Sequence, residues 1–417
     1  MAQTLSQKIL ARAAGRDAVK VGEVVVAEPD LFQLHDLGLP HYIETLSRHG
    51  ITELRYPERC IVFADHEVPA QTVRVAGLKR RMAEQMKTLG LMRFHKEGRH
   101  GISHQAIVEH GYVLPGMLVL SLDTHVTTLG CVGALAPPIN YEMLQALALG
   151  SIWLMVPETI RIVLHGKPRP GVMSRDIAQQ VIAGLGAELC DYRVLEFCGP
   201  ALAGLDMDMR MTLCNVAVDI GAKAGLVEPD EVTAAYLRSR TTEPFDLPRS
   251  DAAARFVHTW EVALEDFEPM VAVPPRPDCV VPVSQVAGRK VDQVYIGSCA
   301  GGRMEDLRAA AAVMRGRFVH PDVRMIVVPS SQEVYIHASR EGLLADFAEA
   351  GAVVMAPTCG PCYGNVAPLA DGEVCIATGT TNIPGRMGSA QAEIFLSNAT
   401  VAAASAVSGR IASPTQL

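Results

Sequence analysis

The segment V-Y-I-G-S-C-A-G-G-R (residues 294–303) and the segment V-V-M-A-P-T-C-G-P-C-Y-G (residues 353–364) decide the architecture of this chain. In each segment, an apolar run typical of a β-strand ends in a turn rich in Gly or Pro. The turns place Cys299, Cys359 and Cys362 beside exposed backbone N–H groups, which favour thiolates and the sulfides of a metal cluster. These cysteines are one fewer than the set that closes an ordinary zinc or iron–sulfur site. The pattern therefore predicts a cluster with one metal corner open to substrate.

Plainer interpretations of the same cysteines stay open. The C-x-x-C spacing of Cys359 and Cys362 also occurs in redox pairs and zinc sites, or the thiols are simply buried. The lone Cys299 in its glycine-rich turn favours the cluster. The remaining cysteines lie mostly in apolar contexts, and we expect them to be small core residues: Cys60, Cys131, Cys190, Cys198, Cys214, Cys279 and Cys375.

Composition limits the class of protein. The chain has 417 residues, 49% of them apolar, which is enough for two or three domain-sized cores. A net charge of -8 and an aromatic content of 5% argue against a nucleic-acid partner, which needs basic surfaces or stacking side chains. Ten cysteines without regular spacing indicate reduced thiols in a cytoplasmic protein.

Neither a targeting segment nor a membrane anchor is expected. The N-terminus is predicted as an amphipathic helix with Leu5, Ile9 and Leu10 on one face and Gly15 at its end, without the apolar core of a signal peptide. The most apolar stretch, residues 143–156, is too short to span a bilayer.

Short Val/Ile/Leu runs alternate with Ala-rich helical patterns, which predicts α/β layering. The predicted strands are 22–27, 60–64, 117–122, 160–164, 293–297, 323–328 and 352–356. The predicted helices are 73–89, 140–150, 174–184, 211–225, 230–239, 305–314, 342–350 and 399–407. Domain boundaries are expected near residues 156–158 and within the proline-rich stretch 271–283, which cannot be regular helix.

Acid and histidine residues form a second group of candidates. Asp65 and His66 follow one apolar run, and Asp123, Thr124 and His125 follow another, which is where α/β sheets place ligands. A carboxylate beside an imidazole raises its pKa and keeps a proton available for a leaving hydroxide. A histidine after a strand is more often a structural group. Further candidates of these types are His104 and Asp219, whereas His35, Asp36, His95, His100 and His110 have more polar surroundings and are assigned to the surface.

Arg386 lies in the turn T-N-I-P-G-R-M-G, where its guanidinium would suit a carboxylate ligand, although a solvated arginine is an equally good interpretation. The glycines around Cys299 do not form a nucleotide loop, because neither a G-K-[ST] ending nor a G-x-G-x-x-G order is present.

Taken in order, these segments resemble the aconitase family, and within it the large subunits of the 3-isopropylmalate dehydratase and homoaconitase type. The matching blocks run nearly end to end: K-I-L-A-R-A-A-G (8–15), D-H-E-V-P-A (65–70), G-I-S-H-Q (101–105), D-T-H-V (123–126), V-P-E-T-I (156–160), M-T-L-C-N-V-A-V-D-I-G-A-K-A-G (211–225), the two cysteine segments, and G-R-M-G (385–388).

The resemblance implies three α/β domains, 1–160, 161–278 and 279–417, around a [4Fe-4S] cluster with one labile iron and without a swivelling domain. Cys299, Cys359 and Cys362 would bind the cluster, Asn215 would lie near it, and the open iron would act as a Lewis acid on the substrate hydroxyl. The acid–base pairs would be Asp65 with His66, Asp123 with His104, and Asp219 with His125, His66 being the acid. Thr124, Thr381 and Arg386 would contact the substrate. The catalytic serine would lie on a swivelling domain in a separate small subunit, so the chain alone is expected to be inactive.

Several positions depart from the pattern of the resembled family. Thr124 replaces the serine of D-S-H-T, Asp219 replaces a glutamate, and Ala300 and Gly301 replace the threonine and asparagine of S-C-T-N-G-R. Thr381 stands where a second arginine is usual, which would weaken binding of a carboxylate by about 1.5–3 kcal/mol. Residues 135–139 also replace a glycine-rich stretch. These changes spare the cluster ligands and alter the substrate pocket.

The sequence thus predicts an iron–sulfur hydro-lyase subunit, part of a heterodimer in amino-acid biosynthesis. It would dehydrate, hydrate or isomerise a 2-hydroxy di- or tricarboxylate of the 3-isopropylmalate, homocitrate or dimethylmalate type. The alternatives are a non-catalytic relative that senses iron or binds RNA, which the acidic composition disfavours, and a structural zinc protein.

Overall fold

Short apolar runs become β-strands and the segments between them become helices, so the predicted α/β class is confirmed. The computed structural model describes residues 2–417. The strands are β1 Val24–Ala27, β2 Leu31–His35, β3 Cys60–Phe63, β4 Arg93–His95, β5 Val119–Ser121, β6 Ile152–Met155, β7 Thr159–His165, β8 Val194–Cys198, β9 Ala224–Val227, β10 His258–Ala263, β11 Met270–Ala272, β12 Val280–Pro282, β13 Gln293–Ile296, β14 Arg324–Val327, β15 Val353–Val354, β16 Val374–Ala377 and β17 Glu393–Ser397.

The helices are α1 Leu5–Ala13, α2 Leu39–Arg48, α3 Val73–Thr88, α4 Ser103–Glu109, α5 Glu142–Leu149, α6 Ser174–Leu185, α7 Ala187–Cys190, α8 Met207–Asn215, α9 Glu231–Arg238, α10 Ser298–Gly301, α11 Met304–Met314, α12 Gln332–Arg340, α13 Leu343–Glu349 and α14 Ala399–Ser408. Short 3₁₀ helices also occur, among them Thr124–Val132, Val216–Ile220 and Gly360–Tyr363. Within residues 2–417, no helix combines the length and the apolar composition that crossing a bilayer requires.

The chain divides into two compact units, each made of several segments. The first contains the residues up to His165, together with Glu188–Met207 and Gly221–Val262, and the second contains Gly166–Ala187, Asp208–Ile220 and Ala263–Leu417. The predicted division into domains 1–160, 161–278 and 279–417 stays a prediction.

The first unit contains three sheets. In one, four parallel strands lie in the order β4-β3-β2-β5. Another has the order β10-β7-β8-β9, with β7, β8 and β9 parallel, and β1 pairs with β6 in an antiparallel ribbon. Helix α1 packs on this unit through Leu5, Ile9 and Leu10, which are buried as its amphipathic pattern predicts.

The second unit is built on one seven-stranded sheet in the order β12-β11-β17-β16-β13-β14-β15. Its centre is parallel, because β13 pairs in parallel with both β16 and β14. Side chains alternate between the two faces of β13. Val294 and Ile296 belong to the core that includes α11 and α14, whereas Tyr295 belongs to a smaller core with Cys359 and Cys362.

One predicted helix extends too far. Residues 211–225 were expected to be helical, but α8 ends at Asn215, a 3₁₀ turn follows, and β9 begins at Ala224. The break follows from Gly221, whose φ of +82° leaves the helical region and turns the chain. Ten of the strands were not predicted; two of them, β2 and β8, are short, fully buried runs that lack the alternation by which a strand is identified.

Candidate functional site

The acid and histidine candidates of the first unit lie at one edge of the four-stranded sheet. Strands β3 and β5 both pair in parallel with β2, so their carboxyl ends lie at the same edge. Asp65 and His66 follow β3, Asp123 follows β5, and His104 lies at the beginning of α4.

These side chains form a connected group. His66 Nδ1 lies 2.5 Å from Asp65 Oδ1, and His66 Nε2 lies 3.6 Å from Asp123 Oδ2. His104 Nε2 lies 3.3 Å from the other oxygen of Asp123. The backbone N–H of Ser103 donates to Asp65 Oδ2 at 3.0 Å, which fixes the carboxylate. Two of the three predicted pairs, Asp65 with His66 and Asp123 with His104, are therefore in contact.

The electrostatics of the group keep His66 protonated. Burial by itself would raise the pKa of Asp65, but the charge and hydrogen bond of His66 outweigh it and hold that pKa well below its usual range. Burial also opposes the charged form of His66, yet the Asp65 carboxylate prevails and raises the pKa of His66 to about 9. The pKa of Asp123 is likewise well below its usual range, because His104 outweighs burial.

The other candidates of this unit extend the same edge. The backbone N–H of His125 donates to Asp123 Oδ1 at 3.0 Å, and the imidazole Nδ1 lies 3.2 Å from the hydroxyl of Thr124. His125 is buried, whereas Thr124 is exposed. The third predicted pair, Asp219 with His125, stays a prediction.

The assignment of all five remaining acid and histidine residues to the surface was partly wrong. His110 is exposed and His95 half-buried, but His35, Asp36 and His100 are buried. The reason is that β2 is a fully buried strand, so its end carries His35 and Asp36 into the group. Asp36 Oδ1 accepts the backbone N–H of His66 at 3.1 Å, and Asp36 Oδ2 pairs with the ammonium of Lys79 at 3.0 Å.

A glycine fixes the 3₁₀ helix that follows Asp123. A Cβ atom at Gly130 would lie 1.7 Å from the carbonyl oxygen of Gly225, just inside β9. Only glycine allows this approach of two backbones. The position of Asp123, Thr124 and His125 therefore depends on a residue that takes no part in the chemistry.

In the second unit, Cys299 lies in the one-turn helix α10, and Cys359 and Cys362 lie at the 3₁₀ turn Gly360–Tyr363. Cys299 follows β13 through Ser298, whose φ of +74° is rare for a residue other than glycine. Cys359 precedes the 3₁₀ turn that contains Cys362, and the backbone N–H of Cys362 donates to the carbonyl of Cys359 at 3.0 Å. All three side chains are buried.

Hydrogen-bond donors point at these sulfur atoms. Asn215 Nδ2 donates to Cys299 Sγ at 3.1 Å, and Arg386 Nη2 lies 3.7 Å from Cys362 Sγ. The hydroxyl of Thr380 lies 3.8 Å from the same sulfur. Donors aimed at sulfur stabilise negative charge on a thiolate or a cluster. Asn215 and Arg386 each have a donor facing a cysteine of the predicted cluster; their roles toward the cluster and the substrate stay predictions.

Gly301, where the resembled family has an asparagine, packs tightly against Thr378. A Cβ at Gly301 would lie 2.3 Å from Cβ of Thr378. The buried hydroxyl of Thr378 in turn contacts the backbone of Gly297 and Gly301 at 2.9–3.0 Å. The glycine thus lets Thr378 brace the turn that carries Cys299.

Sequence reasoning missed three buried polar residues of this unit: Arg175, Tyr295 and Asn382. Arg175 lies at the start of α6, and its Nη2 is 3.4 Å from the carbonyl of Thr380. Its Nε and Nη1, the Tyr295 hydroxyl and the amide of Asn382 have no hydrogen-bond partner among residues 2–417. Buried donors are rarely left in this state. A tyrosine in an otherwise apolar strand before G-S-C was the one available signal; nothing in the sequence marked Arg175.

The remaining cysteines behave as predicted, with one exception. Within residues 2–417 none of the seven forms a disulfide, and six of them are buried, whereas Cys279 is only half-buried. Burial raises the pKa of Cys60 to about 12 and that of Cys190 to about 11, so these thiols stay protonated.

Comparison with known proteins shows the family of the chain. The model of the Aconitase family (aconitate hydratase) matches residues 7–409, nearly the whole chain. The chain belongs to the aconitase family. The resemblance carried by the sequence blocks is thereby confirmed.

Several relatives of this aconitase-family chain are known. It is 42% identical over 419 residues to the probable 3-isopropylmalate dehydratase large subunit of Methanothermobacter thermautotrophicus, with 100% of each chain covered. It is 40% identical to the 3-isopropylmalate dehydratase large subunit of Aquifex aeolicus, over 100% of this chain and 98% of that one. Among solved structures, the holo form of aconitase X from Thermococcus kodakaraensis has a TM-score of 0.46 at 11% identity, covering 85% and 84% of the two chains.

Membership of the aconitase family makes the chain a hydro-lyase with a [4Fe-4S] cluster as cofactor. The residues of the second unit fit this group. Cys299, Cys359 and Cys362 are each buried, and donors face the sulfur atoms of Cys299 and Cys362. Tyr295 shares a core with Cys359 and Cys362, and its hydroxyl has no acceptor among residues 2–417. A cluster bound by these thiols would bring sulfur acceptors into this pocket.

Proposed function

We propose that this chain is the large subunit of a two-chain hydro-lyase that acts on a 2-hydroxy di- or tricarboxylate of the 3-isopropylmalate type. Relatives that are 39–42% identical over their whole length and are called large subunits of 3-isopropylmalate dehydratase support this assignment. Homocitrate and dimethylmalate are the other substrates considered, because Thr381 and residues 135–139 depart from the usual pocket. The partner would be a small subunit with the swivelling domain and the catalytic serine.

The observation that carries the proposal is the sulfur pocket of the second unit. Cys359 and Cys362 share a small core with Tyr295, and Cys299 is buried just after the strand that carries this tyrosine. An asparagine donor faces the sulfur of Cys299, and an arginine donor faces that of Cys362. A structural zinc site or a redox pair has no need of this number of donors. We assign Cys299, Cys359 and Cys362 as the ligands of the cluster and Asn215 as the residue that holds Cys299.

When bound, the cluster would supply a Lewis-acidic iron for the departing hydroxyl group. We assign Nε2 of His66 as the atom that donates a proton to the departing hydroxyl group. Asp65 holds Nδ1 of this ring at 2.5 Å, and the pKa of about 9 means that the ring carries its proton at neutral pH. Asp123 faces the same ring and also fixes His104. Asp219, His125 and Thr124 remain candidate partners of this proton transfer and of the substrate.

Binding of the substrate carboxylates requires positively charged side chains. Arg386 is half-buried and lies beside Cys362, so we assign it to one carboxylate. Thr381 cannot take the role of the missing second arginine. Arg175 is fully buried, contacts the backbone of Thr380, and has unpartnered N–H groups on Nε and Nη1. We therefore assign Arg175 to a further carboxylate of the substrate. In this assignment Arg175 takes the role of the arginine that Thr381 replaces.

We also propose a cytoplasmic location and a role in amino-acid biosynthesis. Within residues 2–417 none of the ten cysteines forms a disulfide, which supports a reducing compartment. Charge argues against RNA as a ligand, since the net charge is -8.

Reconstitution tests the proposal. The chain is treated anaerobically with ferrous iron and sulfide, desalted and analysed for iron, sulfide and zinc, alone and with a small subunit of the 3-isopropylmalate dehydratase type. We expect about four irons and four sulfides per chain and dehydration of 3-isopropylmalate, homocitrate or dimethylmalate by the complex only. A Cys299→Ser variant is the control and should lose the cluster. Zinc without sulfide, or a loaded complex inactive on every such acid while the chain binds RNA, would contradict the proposal.

A further inference from the structure

The hydroxyl of Tyr295 lies in the sulfur pocket of the second unit and takes part in no hydrogen bond with residues 2–417. Tyr295 is fully buried on β13 and faces the core that contains Cys359 and Cys362, whereas its neighbours Val294 and Ile296 face the opposite core. The ring also lies against the turn that leads to Cys299, because a Cβ at Gly297 would be 2.7 Å from the hydroxyl oxygen.

The hydroxyl has no hydrogen-bond partner, either donor or acceptor, among residues 2–417. A buried O–H without an acceptor is unfavourable, because it has lost its hydrogen bond to water without gaining another. Its presence in a pocket lined by cysteines points to an acceptor that is not part of the polypeptide.

Sulfur is the acceptor that this pocket offers. Tyr295 belongs to the same small core as Cys359 and Cys362, and its ring lies against Gly297, two residues before Cys299. A phenol carries its proton at neutral pH and is therefore a hydrogen-bond donor.

We propose that Tyr295 is a positioning residue of the cluster, whose hydroxyl donates an O–H···S hydrogen bond to a sulfur of the bound [4Fe-4S] group. This inference rests on the cluster assigned above. The bond delocalises negative charge from the sulfur, which stabilises the reduced state and strengthens retention of the cluster. Asn215 and Arg386 each face a single cysteine, whereas the Tyr295 hydroxyl would donate to a sulfur of the cluster itself.

The test uses the full-length chain, reconstituted anaerobically, as wild type, Tyr295→Phe and Tyr42→Phe. Tyr42 is a buried tyrosine of the first unit whose hydroxyl donates to the Asn140 carbonyl at 3.2 Å, so it controls for the loss of a buried phenol hydroxyl. Three quantities are measured: the shift of the Fe–S resonance Raman bands between H₂O and D₂O, the midpoint potential, and the half-life of the cluster in air.

In Tyr295→Phe we expect a smaller H₂O/D₂O shift, a more negative potential and about a tenfold shorter half-life, with Tyr42→Phe unchanged. Equal Raman shifts and equal potentials in wild type and Tyr295→Phe overturn the inference while leaving the proposed function intact. A wild-type chain that retains neither iron nor sulfide overturns both. Should the phenylalanine variant not fold, Tyr295→3,5-difluorotyrosine keeps the ring and changes the acidity of the hydroxyl; unchanged Fe–S bands in that variant likewise overturn it.

Discussion

Nδ1 of His66 lies 2.5 Å from Oδ1 of Asp65, and both side chains are buried at the edge of the four-stranded sheet. The carboxylate also accepts the backbone N–H of Ser103, so it is oriented from two sides. An imidazole held in this way keeps its proton on the ring and presents Nε2 to a reacting group. The pair therefore predicts how activity depends on pH.

The first prediction concerns Asp65→Asn. The pKa of His66 is raised to about 9, so the ring is charged at neutral pH and loses its proton as the pH rises through that value. Removing the carboxylate should move the basic limb of kcat/KM to lower pH by about one to three units, since an opposite charge at this distance shifts a pKa by that amount. The pH profile of the reconstituted two-chain enzyme measures it.

The control for this prediction is Asp322→Asn, because Asp322 is mostly exposed. Its pH profile should match that of the wild type. A basic limb that stays in place in Asp65→Asn would show that His66 is not the acid of the reaction.

The residues that carry chemistry differ in how far the sequence reveals them. Cys299, Cys359, Cys362, Asp65, His66 and Asp123 were predictable because each follows an apolar strand, and the ends of parallel strands are where α/β folds place ligands. Arg175 was not predictable, because it meets Thr380 only after a separation of 205 residues is closed by folding. His35 and Asp36 were misassigned because a short buried strand has no alternating pattern to identify it.

The same distinction holds for the fold. Helices with caps and periodic apolar residues, such as α1, α9 and α14, were predicted to within a few residues. The C-terminal end of the predicted helix 211–225 was wrong, since the conformation of Gly221 depends on its surroundings in the fold. Small residues such as those at 216–222 fit a helix or a turn equally well by pattern alone.

A second prediction concerns Glu196, a buried carboxyl in the middle of β8. It accepts the hydroxyl of Ser250 at 2.6 Å, and this hydroxyl accepts the backbone N–H of Leu5 at 2.7 Å. Burial raises the pKa of Glu196 to about 7. The folded state therefore keeps the proton longer than the unfolded state, and stability falls as the pH rises from the ordinary glutamate range through about 7.

Glu196→Gln removes the free-energy cost of ionising this buried carboxyl and keeps a polar side chain that can accept the hydroxyl of Ser250. The stability of the variant relative to the wild type should increase between about pH 5 and about pH 8.5, by up to roughly 3 kcal/mol. Urea unfolding at the two pH values measures the difference. The exposed Glu53→Gln is the matched control. An equal effect of Glu196→Gln at both pH values would contradict the prediction.

A third prediction concerns Gly130→Ala. The added Cβ would lie 1.7 Å from the carbonyl oxygen of Gly225, so the 3₁₀ helix that follows Asp123 must move away from β9. Overpacking of this kind costs about 1–3 kcal/mol or more. We expect lower thermal stability and loss of kcat, because Asp123 and His125 move with the helix. Gly204→Ala is the control, because its Cβ would meet no atom within 4 Å, and it should match the wild type in thermal stability and kcat. A Gly130→Ala variant that also matches the wild type would show that the close approach of the two backbones is not required.

The last prediction concerns Arg175→Met, which keeps the length of the side chain and removes its charge and donors. If Arg175 binds a substrate carboxylate, the loss of a charge-assisted hydrogen bond of about 1.5–3 kcal/mol raises KM for the dicarboxylate roughly 10- to 150-fold. The KM of Arg175→Lys should lie between those of the wild type and Arg175→Met, since an ammonium group keeps the charge without the planar geometry of the guanidinium. Steady-state kinetics measure KM, while iron and sulfide analysis confirms that the cluster is retained. The exposed Arg317→Met serves as the control. For an inhibitor that lacks one carboxylate, wild type and Arg175→Met should bind equally; a variant that weakens both ligands to the same extent would show that Arg175 supports the pocket rather than the substrate.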